Sequence, residues 1–275
     1  MLHKDHRNHR HHRRHMDHGN PGSDERDVWF SLSAPPSTPR ERRSNARENR
    51  ASSAWAPMQR VYAKGTFKEV FRGEYLEGEN RGRKCVAKIF KDRSTYESWQ
   101  FDLEMSIIDA TQRVLDNWLE ARVHKGLIRL NKPEIWMNAR GRKAMVEPWL
   151  QNFKKWNSNS GWYDRSGSMS TQIMQALSHF SYHDSGGRLL LCDLQGDMSE
   201  SGYHILTDPA IMSERQEFGP ADLGPRGIKA FFERHKCTPF CGKNWLKPGV
   251  LQSTGQEHMR QGTMFLPRRG AAAPA

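Results

Sequence analysis

A lysine inside an apolar strand must aim its ammonium at something anionic or lie on the wet face. Lys88 stands in that position, in Cys85-Val86-Ala87-Lys88-Ile89-Phe90. Turned inward, it suits a phosphate in a cleft; turned outward, it marks an ordinary alternating strand. Asp193, Gln195 and Asp208 form a second group. Asp193 follows Leu189-Leu190-Leu191-Cys192, where a buried strand leaves the core, and Gln195 can face the same side of an extended chain. Asp208 sits in Leu206-Thr207-Asp208-Pro209, and Asp-Pro favours a fixed turn. Two carboxylates and an amide oxygen are hard donors that suit Mg²⁺, with substrate phosphates completing the octahedron. One carboxylate could accept a proton from an attacking hydroxyl. Strand-end and turn-capping aspartates are the plainer alternative.

The third group is His235-Lys236-Cys237-Thr238-Pro239-Phe240-Cys241, an imidazole and two thiols spaced to share a tetrahedral Zn²⁺ at a helix end. A fourth ligand has to come from elsewhere; His179 is the best placed, with His183 near it. Four protein ligands make a closed, structural site, because a catalytic zinc keeps an open position. Unrelated thiols beside a capping histidine are the alternative. Gly219-Pro220-Ala221-Asp222-Leu223-Gly224-Pro225-Arg226-Gly227 adds a glycine-rich loop that could approach a phosphate or a peptide closely.

These groups need elements to hold them. Val61 to Phe71 reads as a hairpin turning at Gly65-Thr66, and Cys85 to Phe90 as a strand. Leu103, Ile107, Ile108, Val114, Leu115 and Leu119 have helical spacing within 94–123. Met145 to Leu150 is extended, with Pro148 pushing Glu147 towards a β geometry. Helices are predicted over 171–182 and 224–235, the latter with Ile228, Phe231 and Phe232 on one face, and Leu189 to Leu194 is an apolar strand. Strands with a long helix, then a mixed part with carboxylates at strand ends, suggest two lobes around a cleft.

The chain has 275 residues, with 43 Lys and Arg against 31 Asp and Glu, a formal net charge of +12. That balance favours anionic partners without choosing among phosphates, nucleic acid and acidic protein surfaces. No run approaches the roughly 20 apolar residues of a membrane span. Four Cys are too sparse for a disulfide scaffold; Cys85 and Cys192, each within an apolar run, read as buried thiols. No apolar signal-peptide region follows Met1, so a cytoplasmic or nuclear setting is expected. Residues 1–55 read as a disordered basic tail, with seven His before Asn20 and a Pro/Ser linker at 33–39. Residues 251–275 read as a flexible end.

Taken together, the motifs resemble the alpha-kinase family of atypical protein kinases. They occur in the family's order: Val86-Ala87-Lys88, Glu147-Pro148, Lys155-Trp156-Asn157-Ser158-Asn159-Ser160-Gly161, His179-Phe180, Cys192-Asp193-Leu194-Gln195-Gly196, Leu206-Thr207-Asp208-Pro209, the glycine-rich loop, and His235-x-Cys237-x₃-Cys241. The resemblance covers about 59–246. It implies an α+β, two-lobed protein-kinase-like fold over 56–250, with a β-rich N-lobe at about 56–147 and a mixed C-lobe at about 148–250. It implies an ATP-dependent protein serine/threonine kinase, with a catalytically weak pseudokinase or scaffold as the alternative. Cofactors would be ATP, Mg²⁺ and a structural Zn²⁺. The partner would be a protein with a Ser or Thr acceptor; nucleic acid and membrane are not expected as partners.

Carried over by residue, Lys88 resembles the lysine on the α/β-phosphates and Glu147 the start of the hinge that meets adenine. Gly65, Thr66, Phe67 and Lys68 resemble the hairpin turn over the phosphates, and Lys155 and Asn159 a loop pair near triphosphate and ribose. Asp193 resembles the catalytic aspartate, Gln195 and Asp208 the Mg²⁺ pair, and His179, His235, Cys237 and Cys241 the zinc set. Asp222 stands where many members carry Asn, and added charge near the metal or peptide would alter metal preference or substrate choice.

Overall fold

The computed structural model describes residues 28–32, 53–57, 60–91, 98–199 and 201–249. The expected C-terminal tail at 251–275 lies outside them. Two layered bodies are stacked one above the other.

The upper body is a sheet of seven strands: β1 (Val28–Ser31), β2 (Ser53–Trp55), β3 (Val61–Lys64), β4 (Lys68–Tyr75), β5 (Lys84–Phe90), β7 (Glu134–Asn138) and β8 (Lys143–Pro148), in the order β2-β1-β7-β8-β5-β4-β3. One edge of β4 pairs with β3 in its first half and with β2 in its second, so the sheet closes on itself. Closure leaves no open edge between β1 and β4. The enclosed core holds Trp29, Phe71, Tyr75, Cys85, Ala87, Ile89 and Trp136.

The expected disordered tail over 1–55 is therefore corrected at two places. Val28–Ser31 is an internal strand between β2 and β7, and Ser53–Trp55 closes the sheet onto β4. Trp29 is fully buried and its indole N–H donates to the Ala56 carbonyl at 3.3 Å. Burying an indole can outweigh the ordering cost of a short strand, but so brief an apolar run is invisible within a polar, Arg-rich average. The His-rich run and the Pro/Ser linker lie outside the described residues.

Helix α1 (Ser98–Glu120) follows β5, and β6 (Ile128–Leu130) follows α1. Both were expected in the N-lobe. Instead Ile107, Ile108, Val114, Leu115 and Trp118 of α1 share a core with Ile128, Leu130 and α2 (Met169–Asp184) of the lower body. Only the start of α1 reaches upward, where Phe101 packs edge-on against Phe90 and Glu104 meets Lys68. Leu119, expected on the apolar face, is 52% exposed; Trp118 is the buried member of that turn.

The lower body has β6 and β9 (Lys154–Lys155) flanking β11 (Gln195–Met198) and β12 (His204–Thr207), in the order β6-β12-β11-β9. A separate pair joins β10 (Leu189–Cys192) to β13 (Ala210–Ser213). The last helix, α3 (Gly224–Arg234), packs against β13. The register of β10 on β13 continues unbroken into β11 on β12: Cys192 faces Ala210, and Gln195 faces Thr207. The chain from 189 to 198 and its return from 204 to 213 thus form one long antiparallel ribbon, interrupted where both strands kink.

Candidate active site

Asp193 and Asp208 sit at the two kinks of that ribbon. Both have left-handed backbones, with φ of 58° and 46°. Non-glycine residues seldom adopt this conformation, and it concentrates where a side chain must be aimed against the local strand geometry. Just beyond Asp193, Gly196 has φ of 152°, and a Cβ there would collide with the Ile205 carbonyl. The two strands approach too closely at that point for any side chain.

Across the cleft, Lys88 points inward from β5. Its ammonium lies 2.5 Å from the Asp208 carboxylate and 2.7 Å from Glu147. It also donates to the Thr207 hydroxyl at 3.1 Å, which in turn donates to Glu147 at 2.7 Å. Lys68 joins from the start of β4, 3.2 Å from the other oxygen of Asp208 and 2.9 Å from Glu104. Three strands of the upper sheet, one strand end below and α1 therefore meet at one point of dense charge.

Electrostatics order this set. Burial by itself would raise the Asp208 carboxyl, but the ammoniums of Lys88 and then Lys68 outweigh it and hold it well below the usual carboxylate range. Burial pushes Glu147 up, against the pull of Lys88. Burial opposes the charge on Lys88 and Lys68, yet Asp208 beside both, with Glu147 on one and Glu104 on the other, leaves each ammonium above its ordinary value.

Asp193 forms a second centre. Lys155 lies 2.7 Å from its carboxylate. Burial raises the Asp193 carboxyl, with the Asp208 charge adding to the rise, while the hydrogen bond and charge of Lys155 and the Asn159 backbone N–H pull it down. Gln195 is two residues on, and its amide donates to the Asp208 main-chain carbonyl at 3.3 Å. Its amide oxygen and the Asp208 carboxylate are hard oxygen donors, of the kind that suits Mg²⁺.

Some sequence-expected residues sit differently. The Glu147 carboxylate is 3% exposed and is held by Lys88 and Thr207. Asn159 turns its side-chain amide onto the Ala221 carbonyl at 3.1 Å, bracing the glycine-rich loop, and reaches Asp193 only through its backbone. The turn at Gly65-Thr66-Phe67 closes through the Gly65 N–H on the Lys68 carbonyl at 2.9 Å; of that group Lys68 carries the contact to the cleft.

Sequence reasoning missed Thr207, Glu104 and Asn157 as site residues. Thr207 borders Asp208 in the quoted motif, whereas nothing in the spacing singled out Glu104. Asn157 is buried, donates to Ser178 at 3.0 Å and accepts the Leu194 N–H at 2.8 Å, fixing the kink that carries Asp193. Gly161 ends the same loop with φ of 81°, and a Cβ there would lie 2.5 Å from the Ala230 carbonyl of α3. The loop is thus pressed against both Asp193 and the last helix.

Asp222 does not face a metal or a peptide. It is 3% exposed and its carboxylate accepts from Ser213 N–H at 2.9 Å, Ser213 Oγ at 2.6 Å, Phe218 N–H at 3.2 Å and Gly224 N–H at 2.9 Å. Four donors converge on two oxygens, a demand a carboxamide cannot meet, since its NH₂ would confront a donor. Asp222→Asn is therefore expected to cost about 1–3 kcal/mol of stability. Thermal melting checks this, with metal preference expected to stay unchanged.

Below the cleft, His179, His235, Cys237 and Cys241 bring their ligand atoms within 4.8 Å of one another. His179 Nδ1 lies 3.8 Å from Cys237 Sγ, and His235 Nε2 lies 3.7 Å from Cys241 Sγ. Tetrahedral ligands at Zn–S and Zn–N lengths of about 2.3 and 2.0 Å stand at such separations. His179 Nε2 meets the Leu246 carbonyl at 3.0 Å, which leaves Nδ1 free to serve as a ligand. The residues present therefore fit zinc. The segment after Cys241, where the motifs fade, contributes Trp245, whose indole packs against Trp118, His179 and Phe180.

Comparison with known proteins places this arrangement. The Alpha-kinase family model matches residues 63–241. The chain belongs to the alpha-kinase family. It is 33% identical over 196 residues to alpha-protein kinase 1 of Dictyostelium discoideum, covering 66% of this chain and 13% of that protein. It is 36% identical over 113 residues to eukaryotic elongation factor 2 kinase of Mus musculus, covering 41% of this chain and 15% of that protein. This family member spans only a small part of the length of such relatives. Its fold is similar to that of an alpha kinase from Entamoeba histolytica, with a TM-score of 0.58, 22% identity and coverage of 69% of this chain and 76% of that one. The alpha-kinase domain of myosin heavy chain kinase A, solved with ATP, also gives a TM-score of 0.58, at 19% identity and coverage of 78% and 92%.

Proposed function

We propose that this alpha-kinase domain is an active, ATP-dependent protein kinase that phosphorylates Ser or Thr hydroxyls of a protein substrate. The convergence of Lys88 from the upper sheet and Asp208 from the lower body, 2.5 Å apart across the cleft, carries the reading. Phosphoryl transfer depends chiefly on positioning and on stabilising charge. Lys88, buried, and Lys68, partly exposed, are two ammoniums that can turn from Asp208 to phosphate oxygens. Asp193 receives the acceptor hydroxyl and takes its proton, held in place by Lys155. Gln195 and Asp208 are the residues that would hold Mg²⁺, which when bound offsets triphosphate charge. The full set of Lys88, Asp193, Gln195 and Asp208 disfavours a pseudokinase.

We assign a structural Zn²⁺ to His179, His235, Cys237 and Cys241. These four residues tie the middle of α2 to the end of α3, and so anchor the loop that Asn159 braces. None of the four cysteines is in a disulfide, which leaves Cys237 and Cys241 available to the metal and suits a reducing cytoplasmic setting.

Incubation with labelled ATP and Mg²⁺ against a panel of helical and basic peptides tests the activity. Incorporation into Ser or Thr by the wild type is expected; equal labelling by wild type, Lys88→Ala and Asp208→Ala would reject the site. The pH profile tests Asp193. Its raised carboxyl must be ionised to accept a proton, so kcat/KM should fall as pH drops through a value above the ordinary Asp range of about 3.9. Lys155 holds that carboxyl down, so Lys155→Met should move the acid limb to higher pH. An unmoved limb would remove Asp193 from the role of base.

A further inference from the structure

A second concavity lies away from the cleft, between the loop that follows Asn159, the start of α2 and the end of α3. Its volume is about 680 Å³, and its lining includes Arg165, Gln175, Arg234, Lys236 and Pro239. Gln175 is 4% exposed, and its amide oxygen is buried without a hydrogen-bond partner. A buried polar atom left unpaired costs free energy that a bound donor would recover. Around this floor stand the three cations Arg165, Arg234 and Lys236, none of them paired with a carboxylate among the described residues. Two anions also line the cavity, and both have partners: Asp164 is engaged by Ser166, Thr171 and Lys154, and Glu233 lies 3.8 Å from Lys229.

The site therefore offers cations at its rim and an unpaired acceptor at its base. A peptide with acidic side chains supplies both complements: carboxylates for the cations, and a main-chain N–H for the Gln175 oxygen. We infer that this cavity docks an acidic segment of the protein substrate, remote from the acceptor hydroxyl. The inference rests on the protein-kinase reading above. Two of the chain's own outer segments have the wrong charge to fill it: residues 33–52 carry five Arg against two Glu, and residues 250–275 three Arg against one Glu. The loop shared with Asn159 and Gly161 puts the cavity and the catalytic centre on one continuous segment.

The test uses the full chain and fluorescence anisotropy of a labelled octapeptide of alternating Glu and Ala, which has no acceptor hydroxyl. A Lys/Ala octapeptide is the control. The acidic peptide is expected to bind at least ten times more tightly than the basic one, and saturating ATP should not displace it. Arg165→Glu should weaken binding about tenfold. Gln175→Leu, which changes no charge, should weaken it several-fold, while Arg140→Glu on a remote turn of the upper sheet should change it less than twofold. If Gln175→Leu fails to fold, exposed Arg165 decides the matter alone. Absence of binding, displacement by ATP, or equal losses from Arg165→Glu and Arg140→Glu would each overturn the inference. Peptide binding needs no phosphoryl transfer, so a failed kinase assay and a failed docking site give different results.

Discussion

Replacing Lys88 with methionine is expected to reduce phosphoryl transfer at least 100-fold, about 2.7 kcal/mol of barrier. Losing one preorganised cation or donor at a site of developing charge typically costs that much. The substitution has a second consequence. Glu147 is 3% exposed, and with Lys88 gone it becomes a buried carboxylate without its cation. Breaking a buried pair on one side costs roughly 3–5 kcal/mol, more than an apolar replacement of both partners. The double variant Lys88→Met/Glu147→Gln should therefore recover much of the melting temperature lost by Lys88→Met while remaining inactive. The two effects separate in a double-mutant cycle of melting curves alongside the labelled-ATP assay. Recovery of activity with stability would show that Lys88 acts only as a structural partner of Glu147.

The second large effect concerns the zinc group. Purified protein is expected to hold one zinc per chain by elemental analysis, and Cys237→Ser or Cys241→Ser should lose it. A structural zinc can supply about 10–16 kcal/mol in small domains, comparable with the whole stability of a typical domain, about 5–15 kcal/mol. Even partial loss, on the order of 4 kcal/mol, would lower the melting temperature by roughly 10 °C in a domain of this size. The damage should spread from α3 to the loop braced by Asn159, so activity falls with the fold. Folded, metal-free protein with full activity would remove zinc from the account. Cys85→Ser is the comparison, because Cys85 lies in the upper core, away from the cluster. It should leave zinc content unchanged.

The residues that carry the chemistry were legible because charge is conspicuous where it interrupts apolar runs. Lys88 inside a strand, Asp193 at the end of one, and His235 with Cys237 and Cys241 at a helix end all stand out by type and spacing. The helices were legible for a similar reason: long periodic runs reveal themselves locally. Trp29 and Trp55 did not, since each strand that holds them is only a few residues long and lies among Arg, Ser and Pro. Their place depends on partners distant in sequence, Asn138 for Trp29 and Glu74 for Trp55.

Sequence by itself determined which side chains could form a kinase site and a zinc site, and the order of the elements that hold them. Only the tertiary structure decided where those side chains point. Glu147 turned to Lys88, Asn159 turned to Ala221, and Asp222 became a loop brace because each lies beside residues far along the chain. A side chain's type is a local property; which donor or charge it meets is fixed by packing, and packing is a property of the whole fold.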